Sequence, residues 1–463
     1  MSESRFNWAM VLVLLLTCAI AYINTLDGEW VWDDASSVLL HEHVQQPEHL
    51  LQLFREDQHA FGRGQGNFYR PLVSVSFMVD YYLAGGPSPE TYGKQSLPEV
   101  SPLLFHISNI FWHYCAALAL LLLLHVLEAP RFVRGLVPLL FVVHPLHTEA
   151  VAYISGRADM MSAVGIFAAL FFAIRAMQLQ RPLAGTIAAS LFFIVGLMSK
   201  ESTLIYPVLL GIMYLTVPVS GKAPMQKVKS DNAPYLRYAP LVSAIFILAI
   251  YLLLRSTVLR FADTQPVAAA PLLQRLFETV QSLGLYAQML FLPTGLHMER
   301  TLDGVSSLYA VWGALFLLTL VTTSVIAWRS GHRRITAGFC WFIAAWIPIS
   351  GVFPLNAPLA EHWMYVPMVG FWWAFLEILW TISRHKRICL YFASSLVLLF
   401  CFLFIAMTAR RNQDWHDNET LFCATLKQNP NTTRVHYNLA VTYETMKHNY
   451  AGARRHYERY LEL

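Results

Sequence analysis

The sequence is short of charge. Asp, Glu, Lys and Arg supply 13% of its 463 residues, against 56% that are hydrophobic. Soluble domains carry about 25% charged residues, so a water-soluble fold is excluded. Cysteine is also scarce. Of six thiols, Cys18, Cys115, Cys340, Cys389 and Cys401 lie in or beside apolar runs, and only Cys423 sits in a polar stretch. That spacing gives neither a disulfide framework nor a metal-ligand set, and the thiols read as buried and inert. The net charge of +4 is small, its basic residues serve topology, and no nucleic-acid partner is expected.

What the chain does have is apolar runs of spanning length, repeated along most of it, which predicts an all-α polytopic membrane protein. The runs are about Trp8–Ile23, Leu103–Leu127, Phe132 to His144, Met160–Met177, Leu183–Met198, Thr203–Val217, Tyr238–Leu254, Leu308–Trp328, Ile335–Ile349, Trp363–Thr381 and Ile388–Met407. The first is long for the apolar region of a leader peptide and reads as a retained span. Leu272–Leu292 contains Arg275 and Glu278 and fits either a span or an interfacial helix. Pro47–Arg55 suits a helix lying in the interface.

Basic residues in short loops set the orientation. Arg5, Arg131, Arg134, Arg175, Arg181, Lys222, Lys227, Lys229, Arg237, Arg329, Arg333, Arg334, Arg384, Lys386 and Arg387 share the cytoplasmic side if Leu272–Leu292 does not cross. The count is then eleven spans, with the N-terminus inside and the C-terminus outside. After Met407 the composition turns polar. We divide the chain into a membrane domain, 1–408, and an extracytoplasmic helical segment, 409–463. There Phe422 and Pro430 close one tetratricopeptide-like repeat, and Leu439, Ala440 and Tyr443 open the next. Such arrays bury their faces with about three units or more. One and a half units must therefore dock on the membrane domain, pair with a partner, or belong to a truncated array.

The organising stretch is Trp30-Val31-Trp32-Asp33-Asp34, just beyond the first span. Interfacial tryptophans are ordinary. Adjacent carboxylates at a membrane edge are costly unless used or paired. On this topology Arg70, His144, His147, Glu149, Arg157, Asp159, Lys200, Glu201, Glu361 and His362 return to the same side, at helix ends. The bland alternatives are concrete: Arg70 as a loop cap before Pro71, His144 as a helix end before Pro145, Lys200 and Glu201 as a mutual pair. His147 and Glu149, two apart, do not share a helical face, and no metal site is expected. If the cluster is one site, an acid serves as general base while the cations stabilise a departing anion such as phosphate. That suits transfer of a group from a phosphate-linked donor to a hydroxyl. A lipid-tailed donor would explain chemistry at the membrane surface.

The residues VWDD (31–34), YRPL (69–72), HPLHTEAVAYISGRADMM (144–161), SKES (199–202), EHWMYVP (361–367) and RNQDWHDNETLF (411–422) resemble the TMTC family of membrane and tetratricopeptide-repeat O-mannosyltransferases, within the GT-C superfamily. The resemblance covers nearly the whole chain, with 144–161 its most specific block. It implies a GT-C fold and a polyprenyl-phosphate mannose donor. It also implies inverting transfer to a Ser/Thr hydroxyl of an acceptor protein, one the repeats could hold. Asp33 and Asp34 match the catalytic acidic motif, with the choice of base open. Arg70, His144, His147, Arg157, Lys200 and His362 are the expected donor-phosphate contacts. Glu149, Asp159, Glu201, Glu361 and Tyr365 are the supporting positions. Dependence on a divalent metal stays open. Two departures stand out: His362 replaces the family's usual arginine, making a permanent cation titratable, and the repeat segment is short. The rival readings are a transferase with a lipid or glycan acceptor, a non-catalytic scaffold, and a transporter. A transporter would put its charges near the midplane on broken helices rather than at helix ends.

Overall fold

The computed structural model describes all residues except 1, 62–66, 90–96, 179–181, 218–236, 262–269, 354 and 356. Arg181, Lys222, Lys227 and Lys229 therefore lie outside the described residues. Every regular element among the described residues is helical. Among the described residues six helices are long and apolar enough to cross a membrane, or seven if a bent pair counts as one span. Large apolar side chains such as Leu16, Phe246, Leu318 and Phe402 face outward, where a bilayer covers them. The chain is a multi-pass integral membrane protein.

Helix α1 (Glu3–Tyr22) starts where the Ser2 side chain accepts a hydrogen bond from Arg5 N, satisfying an otherwise orphaned donor. After α2 (Pro71–Leu83) and α3 (Leu103–Val126), helix α4 (Arg131–Val143) ends at His144, whose extended backbone (φ −72°, ψ 127°) is what a following proline demands. The chain bends by 52° there and continues through Pro145–His147 and the short α5 (Thr148–Ala152) to α6 (Arg157–Gln178). Glu3 pairs with Arg131 and Arg134 at 2.8 and 2.6 Å. The starts of α1 and α4 therefore share one end of the bundle, and their other ends lead into 30–39 and 144–156.

Helix α6 lies at the centre of the bundle, with α7 (Pro182–Leu197) against it. Their contact is backbone on backbone: a Cβ on Gly165 would lie 2.6 Å from Gly196 Cα. The same close approach joins α10 (Leu272–Phe291) to α11 (Leu308–Arg329) through Gly284 and Gly313. Gly338 and Gly370 do so for α12 (Arg333–Trp346) and α13 (Pro367–Ser383). In lipid, where burying apolar surface between helices gains little, small residues permit the close packing that holds helices together. Helices α8 (Tyr206–Thr216) and α9 (Ala239–Ser256) lie between α7 and α10 in the sequence, and α14 (Arg387–Gln413) is the last apolar helix.

Pro47–Arg55 is not one interfacial helix. It forms two single turns, Pro47–His49 and Gln52–Phe54. Leu53 is buried with Val38, Val73 and Phe77, while Leu51 is exposed. The leucines point different ways because the segment packs on Val38, Val73 and Phe77 around the loop between α1 and α2.

Beyond α14 come α15 (Asn418–Gln428), started by a capping box between Asp417 and Thr420, then α16 (Thr433–Thr445) and α17 (Tyr450–Glu462). This segment docks on the membrane domain. Trp415, Leu421, Phe422, Val435 and Leu439 share a core with Val31, Ala152, Tyr153 and Met298.

Candidate active site

Trp32, immediately before the two aspartates, has a φ of +51°, which is rare for a bulky residue. Such a conformation costs about 1–3 kcal/mol and persists only where surroundings enforce it. Here the Trp32 amide donates to Asn418 Oδ1 at 2.8 Å. Asp34 is fully buried: Oδ1 accepts from Ser155 N and Oγ at 2.8 and 2.7 Å, and Oδ2 from Val31 N at 3.1 Å. Burial still lifts its carboxyl to about 7 against those three donors. Asp33 instead lines a cavity of about 560 Å³. Burial raises its carboxyl too, opposed by the charges of His59 and Arg434 and by the Tyr153 hydroxyl.

The cavity gathers Arg70, Glu149, Asp159, Lys200 and His362 around Asp33. Lys200 Nζ bridges both oxygens of Asp159 at 2.7 Å, and Arg70 pairs with Glu201 at 3.0 Å. The pairing is therefore crossed between elements: Lys200 and Glu201 hold other chain segments rather than each other. His362 Nδ1 lies 2.8 Å from Glu149 Oε1, and its amide donates to Glu149 Oε2 at 3.2 Å. Carboxylates thus hold Lys200, Arg70 and His362 in place.

A second cavity of about 350 Å³ shares Asp159, Lys200 and Trp363 with the first. Its walls are largely apolar, with Leu204, Ile205, Pro348, Ile349 and Leu355. Lys200 stands where the polar compartment meets the greasy one.

Several expected residues lie elsewhere. His144 and His147 are fully buried, with His144 Nε2 3.0 Å from Leu290 O and His147 Nδ1 2.7 Å from Phe141 O. They tie the bent segment to its neighbours and do not line the cavity. Arg157, placed among the donor-phosphate contacts from sequence, is buried and consumed by Asp80 at 2.6 Å, Asn109, Ser76 and Phe105 O. Buried Glu361 joins Arg300 at 3.0 Å and Arg411 at 3.4 Å, and the Tyr365 hydroxyl sits 2.6 Å from His113 Nδ1.

Among the cavity residues that the sequence did not single out are His59, Tyr153, Glu299, Arg300 and Arg434. Tyr153 sits inside the 144–161 block and was within reach. Arg300 and Arg434 belong to no motif and enter through tertiary packing. No group of three or more His, Cys, Asp or Glu among the described residues is arranged to hold a metal.

No family model matches the chain. It is 25% identical over 93% of its length to a Caenorhabditis elegans protein O-mannosyl-transferase, covering 59% of that protein. It is 24% identical over 96% of its length to human protein O-mannosyl-transferase TMTC3, covering 50% of it, and 24% over 93% to mouse TMTC4, covering 63%. The chain thus spans about half to three-fifths of the length of these relatives. Over nearly all of its own length, it is a relative of the TMTC-type protein O-mannosyl-transferases.

Proposed function

We propose that this chain is an inverting GT-C-type glycosyltransferase that moves mannose from a polyprenyl-phosphate donor to a Ser or Thr hydroxyl of a protein on the extracytoplasmic face. The observation that carries the reading is the position of Asp33, a carboxylate facing a cavity in which Lys200 lies where a polar compartment meets an apolar one. The names of the relatives supply mannose and the protein acceptor.

On this reading the sugar and acceptor hydroxyl occupy the larger cavity and the first isoprene units the smaller. The acceptor oxygen attacks the anomeric carbon as Asp33 takes its proton, and the bond from that carbon to the phosphate oxygen breaks. The electron pair leaves with polyprenyl phosphate, whose charge Lys200, Arg70 and His362 receive. Single displacement inverts the anomeric centre. Asp34 fixes the loop by holding Val31 and Ser155, and Glu149, Asp159 and Glu201 fix the cations. The topology that fits is eleven spans with α10 lying alongside, the N-terminus cytoplasmic, and α15–α17 outside as a tetratricopeptide-type segment.

The test is release of polyprenyl phosphate by the purified chain from synthetic polyprenyl-phosphate mannose, with and without Ser/Thr peptides. Acceptor-dependent release with mannosylated peptide is expected. Release that responds only to a lipid or glycan acceptor would move the acceptor class. No binding or turnover of any lipid-linked sugar would leave the scaffold reading.

A further inference from the structure

The helices that follow the last apolar one contribute a residue to the cavity that Asp33 lines. Arg434, near the start of α16, lines the cavity and lies 5.2 Å over the Trp32 ring. Trp32 stacks on Tyr153, and Tyr153 on Trp415, with ring centroids 5.7 and 5.4 Å apart. Arg434 is anchored by Glu299, itself a cavity residue. Two main-chain ties fasten the acidic loop to the same segment. Glu29 N donates to His416 O at 2.7 Å, and Trp32 N to Asn418 Oδ1 at 2.8 Å.

The second tie matters most, because it falls on Trp32, the left-handed residue immediately before Asp33. An L residue with a large side chain leaves that region unless something holds it. Asn418 offers its acceptor from the first turn of a helix started by the Asp417 capping box. The position of the acceptor is thus set by a regular element rather than a mobile loop.

We propose that Asn418 is a positioning residue for Asp33: by accepting the Trp32 amide it holds the left-handed turn that aims this carboxylate into the cavity. The inference rests on the transferase reading above for its kinetic consequence, and on geometry alone for the tie itself. The segment beyond the last apolar helix is then part of the active site and not only an acceptor-binding appendage.

The test uses the full-length chain with polyprenyl-phosphate mannose and an acceptor peptide. It compares wild type with Asn418→Ala and with Asn418→Asp, which keeps an acceptor oxygen. Misplacing a reacting group by about 1 Å costs up to about a hundredfold. Asn418→Ala is therefore expected to lose about tenfold or more in kcat with donor KM within about twofold, and Asn418→Asp to regain most of it. Hydrogen exchange adds a readout independent of turnover. The Trp32 amide should be protected in wild type and Asn418→Asp, and exchange faster in Asn418→Ala. Wild-type kcat in Asn418→Ala overturns the inference while leaving the transferase reading intact. If no variant turns over, wild type included, the transferase reading fails. The tie is then judged by exchange alone, and unchanged protection in Asn418→Ala overturns it.

Discussion

Two adjacent aspartates have different surroundings. Asp33 faces the cavity, while Asp34 is enclosed with all its donors drawn from its own protein. The carboxyl of Asp34 sits near 7 when folded and near 3.8 in its ordinary state. It therefore binds its proton more tightly in the folded chain, and stability is lost as pH rises from about 4 through about 7. The Tm of wild type relative to Asp34→Asn should fall across that window and level off above it; thermal melts at a series of pH values check this. Asp33 must be ionised to take a proton, and burial raises it as well. The acidic limb of the rate profile should accordingly lie above the ordinary carboxylate range. At Lys200, where the compartments meet, Lys200→Ala should raise donor KM by about tenfold, the worth of one charge-assisted hydrogen bond. The gathering of Asp33, Arg70, Glu149, Asp159, Lys200 and His362 was suggested by the sequence because each lies in a motif beside a helix terminus. The difference between the two acids was not legible, since it depends on contacts distant in the chain, such as Ser155 for Asp34.

Among the elements, the apolar runs anticipated the helices well: a predicted Leu103–Leu127 is Leu103–Val126, and a predicted Tyr238–Leu254 is Ala239–Ser256. Periodicity and proline carry that information locally. The loop between α1 and α2 carried less, because the fate of Pro47–Arg55 is decided by partners such as Val38 and Phe77. Arg157 shows the same limit, since its charge is explained by Asp80 on α2 rather than by the cavity. Removing one partner of such a buried pair costs about 3–5 kcal/mol, so Asp80→Ala should lower Tm sharply. The glycine contacts set another constraint. A Cβ on Gly313 would sit 1.9 Å from Val280 O, so Gly313→Ala must separate α10 from α11. A loss of folded, monodisperse protein on size-exclusion chromatography is the expected outcome.

For the whole molecule, the design is a helical membrane bundle whose ends converge on a polar cavity, closed on one side by a polar helical segment and open on another to an apolar pocket. The account's central claim is that Asp33, in this cavity, is the base for sugar transfer. The direct measurement is polyprenyl phosphate released from polyprenyl-phosphate mannose by purified wild type, Asp33→Asn and Asp34→Asn, each verified as folded. Removing a general base costs about two orders of magnitude or more. The account predicts that loss for Asp33→Asn and measurable turnover in Asp34→Asn. Wild-type release by folded Asp33→Asn would contradict it.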